Sequence, residues 1–407
     1  MADRTLHEAA QSEPFPEDLL PEDLLPEDLL TRIRERAAAY DRDNTFFTED
    51  FDELVAAGYL KAGVPRDFGG GGLTLTALTR AQRRLAAAAP ATALGVNMHL
   101  VWGAVAQLLH ARGDNRMNWV FDEIVAGEVF AFGISEPKND AVLLDARAQL
   151  TADGEDFLLT GTKVFTTLSP VWTRLGVHAR DGDDLVFGFV RRNRDIAVRG
   201  TAEGSAGLAA GQISFLGEWN PMGMRATQSW NTQLDAVPLR AADIVSRTVP
   251  MNGQDPVVWA IFVAFSALTA SVYAGIADRA VELALAAANR DHTFIDGTTD
   301  KLHSDPDVAA KLTALLLEHR ASIDALEMLT RDADAIVDRE DWFLALGAMR
   351  NRVTDAARNA VTEAMRIAGT RGYQADSELA RLYRDALAGL FHPTSARSLA
   401  ATVRRTF

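Results

Sequence analysis

The spacing of apolar residues changes twice along the chain. Residues 31–126 and the stretch from 250 onward repeat apolar positions at helical spacing, as in TEDFDELVAAGYLKA, where Thr48 stands at an N-cap. Between them, segments such as EVFAFGISEP and ARAQLTADGEDFLLTGTKVFTT alternate, and Asp153-Gly154 marks a hairpin turn. The pattern predicts an α+β fold with helices first, then an antiparallel sheet or barrel, then long helices that pack as a bundle.

These changes divide the chain into four regions. We predict an acidic flexible leader at 1–30, an α-helical domain at 31–128, a β-domain at 129–245 and a four-helix bundle at 246–407. The leader contains PEDLLPEDLLPEDLL, whose five-residue period matches no helical stripe and whose prolines recur too often for one long helix. The alternative is that the repeat docks a partner.

Composition narrows the possible functions. The chain has 407 residues, a net charge of −15 and 0 cysteines, which argues against nucleic acid as a partner and excludes disulfides and cysteine chemistry. The eight histidines show no ligand spacing, so we expect no metal site. The start of the chain lacks the basic-then-apolar order of a signal peptide, and no stretch reaches ~20 uninterrupted apolar residues. We expect a soluble, cytoplasmic protein with no membrane partner.

Four short patterns occur in a fixed order. They are FGISEPKND at 132–140, LLTGTKVFTTLSP at 158–170, NPMGMRATQSWNTQLDAVPL at 220–239 and RIAGTRGYQADSELARLYRDALAGLFHPTS at 366–395. Together they resemble the acyl-CoA dehydrogenase superfamily. The resemblance implies a helical domain, a middle β-domain and a C-terminal four-helix bundle, with FAD between sheet and bundle. It also implies a homo-oligomer, a dimer or tetramer, whose partner subunit helps hold the adenosine diphosphate end.

The resemblance also implies roles for individual residues. Ser135 would meet the pyrimidine edge of the flavin, Phe165 would shield the ring, and Thr167 would face flavin N5. Two glycines would let the backbone approach the partner's adenosine diphosphate, and one arginine, one residue out of register, is a candidate for the pyrophosphate. The full cofactor-binding set is Phe132, Ile134, Ser135, Phe165, Thr166, Thr167, Arg290, Gly369, Gly372 and Thr394.

The expected catalytic carboxylate is missing. In the family the active-site turn commonly reads Y-E-G-T-S, and its glutamate removes the α-proton of an acyl thioester; here the turn reads F-H-P-T-S, with His392 and Pro393 in place of glutamate and glycine. A second family position for the glutamate matches Phe265-Ser266, where no acid stands. His392 is therefore a candidate catalytic base, a group beside the flavin, or the cap of a helix that ends at Pro393.

Three functions follow from the resemblance. The first is α,β-dehydrogenation of an acyl thioester, carried by CoA or a carrier protein, with hydride transfer to FAD N5 and a flavoprotein or O₂ as electron acceptor. The second is a monooxygenase that uses reduced flavin and O₂ and needs no glutamate. The third is a non-catalytic assembly subunit. The sequence favours the first, with His392 as its catalytic residue.

Overall fold

Six helices precede the sheet in the computed structural model, which describes residues 21–192, 212–393 and 399–400. They are α1 (Pro21–Leu24), α2 (Glu27–Asp43), α3 (Thr48–Ala56), α4 (Leu75–Ala88), α5 (Pro90–Ala111) and α6 (Asn118–Val125). Helix α5 begins with Pro90 in its first turn, where the missing N–H has no intrahelical partner to lose. It is buried on nearly every face and forms the centre of the helical domain.

The prediction of a flexible leader is wrong for residues 21–30. Leu24 ends α1 and Leu25 follows it, Leu29 and Leu30 lie in the first turn of α2, and all four are buried. The five-residue period needs no single helical stripe, because Pro26 separates two helices and the second and third copies each bury their own leucine pair. Residues 1–20, which include the whole first copy of the repeat, lie outside the described residues.

The middle of the chain forms an eight-stranded sheet in the order β6-β7-β3-β2-β4-β5-β8, with β1 also paired to β4. The strands are β1 (Phe130–Gly133), β2 (Gln149–Asp153), β3 (Asp156–Thr166), β4 (Arg174–Asp181), β5 (Asp184–Arg191), β6 (Gln212–Leu216), β7 (Trp230–Leu239) and β8 (Ile244–Thr248). The predicted hairpin turn joins β2 to β3, and Gly154 there has φ 64°.

The sheet is mixed: most neighbouring strands pair antiparallel as predicted, but the prediction is wrong for two pairings of β4. Strand β1 pairs with β4 in parallel over four residue pairs, and β2 meets β4 in a further parallel pair. The alternation of apolar and polar residues reports which face of a strand is buried, but it does not report the direction of the neighbouring strand.

Within residues 249–393, four helices follow the sheet: α7 (Pro256–Ala288), α8 (Pro306–Asp334), α9 (Trp342–Ala368) and α10 (Glu378–Leu387), with a small hairpin of β9 (Asp291–Thr293) and β10 (Thr299–Lys301) after α7. The Asp255 carboxylate caps α7 by accepting from Val257 N at 2.9 Å. Gly275 lets α7 approach α4, because a Cβ there would lie 2.3 Å from the Arg83 carbonyl oxygen. The helix–strand–helix order and the four-helix bundle agree with the prediction.

Two helices, α5 and α7, are long and apolar enough to cross a membrane by length and composition. However, the most apolar 18-residue stretch is 94% buried inside the protein in α5 and 89% buried in α7. They are the helices around which the helical domain and the bundle share one apolar core. A second, smaller core lies within the sheet around Trp172 and Leu175.

Candidate active site

A cavity of about 410 Å³ lies where α5, the sheet, α7 and the segment after α10 meet. Its volume falls within the roughly 300–1,000 Å³ that small-molecule sites occupy. Helix α5 contributes Leu94 and Met98, and α7 contributes Phe265. The remaining wall comes from Phe132, Ser135, Phe165 and Thr167, from Trp219, Pro221, Met222, Gly223, Met224, Thr227 and Ser229, and from Arg384, Leu387, Ala388, Leu390, Phe391, His392 and Pro393.

Aromatic rings form part of the cavity wall. Phe132 on β1 stacks on Phe265 of α7, with ring centroids 5.1 Å apart and planes 23° apart. Phe165 lies at a register shift in β3, has φ 55° and leaves 55% of its surface exposed beside Trp219. A non-glycine residue held at positive φ is unfavourable and is found most often at functional sites. The bulge turns the Phe165 ring toward the cavity.

Three buried hydroxyl groups form a chain on the strand wall. Thr227 Oγ1 donates to the Met224 carbonyl oxygen at 2.9 Å, and it lies 2.8 Å from Ser229 Oγ, which lies 2.7 Å from Thr167 Oγ1. Since the Thr227 proton is used on Met224, Ser229 donates to Thr227 and Thr167 donates to Ser229. Thr167 Oγ1 therefore keeps its lone pairs as a hydrogen-bond acceptor at the cavity wall.

A buried ion pair supports the loop that carries Ser135. Glu136 Oε1 lies 2.7 Å from Lys163 Nζ, and its carboxylate also accepts from the backbone N–H groups of Arg147 and Ala148 at 2.6 and 3.0 Å. Lys163 Nζ further donates to the His178 carbonyl oxygen at 2.7 Å. Both Glu136 and Lys163 are buried, and every charge has a partner, as burial requires.

Burial and charge act in opposite directions in this ion pair. Burial lowers the pKa of Lys163 to about 8, although the Glu136 charge opposes the shift. Burial alone would raise the pKa of Glu136, but the charge and hydrogen bond of Lys163 hold it below its ordinary value. Burial and the Lys163 charge lower the pKa of His178 to about 4, so its imidazole is neutral and can accept at Nδ1. Ser135 is fixed to the same strand by Val164 N, which donates to its carbonyl oxygen at 2.9 Å.

In the part of the wall that the helical bundle contributes, the turn after α10 brings His392 against α7. His392 Nε2 lies 2.6 Å from the hydroxyl oxygen of Tyr273, and the two rings meet edge-on at 5.6 Å. Desolvation and the nearby charge of Arg350 lower the pKa of His392 to about 3. Burial raises the pKa of Tyr273 above its ordinary value. Both side chains are therefore neutral near pH 7.

No aspartate or glutamate lines the cavity among the described residues. Of Phe265 and Ser266, which the sequence comparison matched to the second family position for the glutamate, Phe265 lines the cavity. The one guanidinium in the wall, Arg384, is bound to the Asp41 carboxylate at 2.6 Å. The reactive surface of the described wall consists of hydroxyl groups, one imidazole and apolar side chains.

The structure brings together five of the residues predicted from the sequence: Phe132, Ser135, Phe165, Thr167 and His392 all line the cavity. Ile134, directly after β1, and Thr166, the last residue of β3, are buried and do not form part of the wall. Arg290, Gly369 and Gly372 lie at the ends of α7 and α9, outside the wall, so their predicted contacts with a partner-bound cofactor stay predictions. Thr394 lies outside the described residues.

Comparison with models of protein families identifies the family of this chain. The models of the acyl-CoA dehydrogenase N-terminal and C-terminal domains match residues 28–119 and 260–391, together more than half of the chain. The chain belongs to the acyl-CoA dehydrogenase superfamily. The fold and the family predicted from the sequence are confirmed.

Individual relatives of this superfamily member differ in chemistry. The L-evernosamine nitrososynthase of a Micromonospora strain is 29% identical over 378 residues, which cover 89% of this chain and 83% of that protein. The putative acyl-CoA dehydrogenase YdbM of Bacillus subtilis is 27% identical over 378 residues, which cover 89% and 90%.

Solved structures give the same division. KijD3 in complex with FMN and dTDP-3-amino-2,3,6-trideoxy-4-keto-3-methyl-D-glucose superposes with a TM-score of 0.75 at 26% identity, covering 96% of this chain and 94% of that one. Butyryl-CoA dehydrogenase from Megasphaera elsdenii superposes with a TM-score of 0.77 at 16% identity, covering 96% and 98%, which shows the shared fold.

The cofactor is a flavin, as predicted; FAD is typical of the superfamily, and KijD3 was solved with FMN. The cavity fits such a ring, because its apolar wall around Met98 and Phe132 matches the hydrocarbon end of an isoalloxazine. The hydroxyl groups of Ser135 and Thr167 match its polar edge. A bound flavin supplies two-electron chemistry; the residues of this chain supply binding, orientation and exclusion of water.

Sequence reasoning missed several residues that build the site. Glu136 directly follows Ser135, and Lys163 lies two residues before Phe165, so their proximity to the motif residues was a usable signal. Tyr273 stands in a long apolar helix, where a tyrosine looks like any other core residue. Only the packing of α7 against the turn after α10 shows that its hydroxyl meets His392.

Proposed function

We propose that this chain is a flavin-dependent monooxygenase that uses reduced flavin and O₂ to oxidise an amine-bearing substrate. One oxygen atom enters an N–H bond and gives a hydroxylamine, and the other leaves as water. Two electrons and two protons come from the reduced flavin. An amino sugar is the substrate class that the names of the nitrososynthase relatives support.

The observation that carries this proposal is the chemistry of the described cavity wall. α,β-Dehydrogenation needs a base at hydrogen-bond reach of the α-carbon, with a pKa raised toward that of the acidified C–H. The wall offers no carboxylate, and its imidazole has a pKa lowered to about 3 and a hydrogen bond already formed at Nε2. His392 is thus a poor base. Oxygenation by reduced flavin and O₂ needs no such carboxylate.

The test compares two substrate classes on one preparation. The protein, loaded with flavin and reduced by a flavin reductase and its nicotinamide donor, is exposed to isotopically labelled O₂ with a panel of amino sugars or with acyl-CoA thioesters. We expect amine-dependent O₂ consumption and one labelled oxygen atom in the product. Anaerobic bleaching of the oxidised flavin by an acyl-CoA, followed by formation of an enoyl product, would refute the proposal.

The second candidate, thioester dehydrogenation, is favoured by the similarity to YdbM and to butyryl-CoA dehydrogenase. It makes a distinct prediction for His392→Glu. If this chain kept a thioester pocket and lacked only the base, the substitution would create or strongly increase acyl-CoA oxidation. We expect no such gain. The predicted homo-oligomer, the electron-transfer partner and the cytoplasmic location stay predictions.

A further inference from the structure

Among the residues that the structure describes, the hydroxyl group of Tyr273 has one hydrogen-bond acceptor. Tyr273 is fully buried on α7, and among the described residues its oxygen has a hydrogen-bond partner only in His392 Nε2, at 2.6 Å. Because burial raises its pKa, the phenol keeps its proton, and a buried O–H without an acceptor would be costly. The proton of Tyr273 therefore points to Nε2, which accepts it.

This fixes the position of the proton on His392. A neutral imidazole carries one N–H, so if Nε2 accepts, the proton is on Nδ1. The charged and titratable groups around the pair are Arg350 from α9, whose positive charge disfavours an imidazolium, and Asp385 from α10, which acts on Tyr273. No described residue accepts a hydrogen bond from Nδ1, and His392 lines the cavity.

A glycine lets the turn close on Tyr273. A Cβ at Gly389 would lie 2.9 Å from Tyr273 Cε1 and 2.3 Å from Thr354 Cγ2, closer than real Cβ contacts allow. Three residues later the chain reaches His392, so the absence of a side chain at Gly389 allows the 2.6 Å hydrogen bond to form. The segment A-G-L-F-H-P can therefore pack closely against Tyr273.

We propose that Tyr273 is a positioning residue that holds His392 in the Nδ1–H tautomer, so that the imidazole donates a hydrogen bond to an oxygen acceptor on the substrate. The hydrogen bond from His392 to the substrate rests on the proposed function, whereas the assignment of the tautomer does not. The ligand group facing His392 is then a carbonyl, ether or hydroxyl oxygen near the amine, and not a proton to be removed.

The tautomer is measured directly by nitrogen NMR on protein carrying labelled histidine, without substrate. We expect a neutral imidazole protonated at Nδ1, assigned by its loss in His392→Asn, and unchanged from pH 8 to pH 5. In Tyr273→Phe we expect Nε2–H to become populated and the pKa of His392 to rise, because a donor to the neutral form has been removed. Tyr59→Phe is the matched control, since Tyr59 is equally buried and donates to Gln82 at 2.7 Å.

Two outcomes would overturn the inference: Nε2–H in the unmodified protein, or a tautomer that Tyr273→Phe leaves unchanged. If Tyr273→Phe does not fold, Gly389→Ala serves as the second variant, because its methyl group must push the turn away from Tyr273 and release the same tautomer. A normal Nδ1–H signal in folded Gly389→Ala would count equally against it.

Substrate binding is tested by rescue. The amide N–H of asparagine lies close to the position of imidazole Nδ1–H, so His392→Asn should keep KM within about threefold, whereas His392→Leu should raise KM about tenfold, the loss of one hydrogen bond. Equal KM values for the two variants would contradict the donor role. If the tautomer is as stated but no amine is oxygenated, only the proposed function fails; if oxygenation occurs with Nε2–H, only this inference fails.

Discussion

Two hydrogen-bond chains reach the cavity, one from the strand side and one from the helical bundle, and they end in groups of opposite hydrogen-bonding polarity. On the strand wall the chain from Thr167 through Ser229 and Thr227 ends on the Met224 carbonyl oxygen, which can only accept. On the bundle wall the chain behind His392 ends on the Tyr273 hydroxyl, which donates. The buried end sets the direction of every proton before it, so the first chain presents an acceptor to the cavity and the second presents a donor.

The two parts of the wall also differ in the interactions that hold their residues in place. The loop of Ser135 is held by a buried and fully partnered ion pair, Glu136 with Lys163, whereas His392 is held by a neutral phenol. Charged pairs in the interior are costly to break, while the loss of one neutral hydrogen bond costs much less. The comparison predicts that the strand wall dominates stability and that the bundle wall dominates ligand recognition.

The largest effect is expected for Lys163→Met. It leaves the Glu136 carboxylate buried without its cation, and we expect the free energy of unfolding to fall by about 3–5 kcal/mol, measured by urea denaturation. The double variant with Glu136→Gln should recover part of this loss, because the uncompensated charge is gone. A single variant as stable as the unmodified protein would show that the ion pair does not hold the strand wall.

A smaller effect is expected for the pH dependence of stability that His178 causes. His178 has a pKa lowered to about 4, so it binds a proton in the unfolded chain from about pH 6.5 downward while staying neutral in the folded protein. Its contribution to stability is complete above pH 6.5 and is lost as the pH falls toward 4. The stability advantage of the unmodified protein over His178→Asn should therefore shrink by at least about 1 kcal/mol over this range.

The groups facing His178 are Lys163 and Glu136, and neither has a pKa that would reverse the trend between pH 6.5 and pH 4.5. Denaturation curves of both proteins at half-unit steps of pH give the measurement. A constant difference across the range would mean that His178 titrates normally in the folded protein.

The smallest effect is expected for Ser229→Ala, which interrupts the strand-wall chain in the middle. Thr167 loses its acceptor and Thr227 loses a donor, so the free energy of unfolding should fall by about 1 kcal/mol. The substitution also changes the hydrogen bonding at the cavity, because the Thr167 hydroxyl group becomes free to donate into it. Ser271→Ala, which removes a buried hydroxyl that donates to Leu268 at 2.6 Å within α7, is the control.

Ligand binding is the measurement that distinguishes these two serine variants. Affinity for ligands that present an N–H toward Thr167 should weaken in Ser229→Ala and stay unchanged in Ser271→Ala. Equal affinities in both variants would show that the direction of the strand-wall chain does not matter to the ligand.

The sequence by itself determined the family, the helix–strand–helix order, the flavin and the absence of a carboxylate at both family positions, because short motifs and hydrophobic periodicity are local properties. The same local reasoning failed for the PEDLL repeat, where Pro26 separates two helices and leaves each leucine pair free to reach the core. It also failed for the direction of β1, which depends on a partner strand about 40 residues away.

Only the tertiary structure decided the chemistry of the candidate site. Tyr273 and His392 are 119 positions apart, and neither has a sequence signal that names the other. Their protons are placed by burial, by the hydrogen bond between them and by the charge of Arg350, all of which exist only when α7, α9 and the turn after α10 pack together. A side chain's type is written in the sequence, whereas its protonation and its hydrogen-bond direction belong to the surroundings that folding creates.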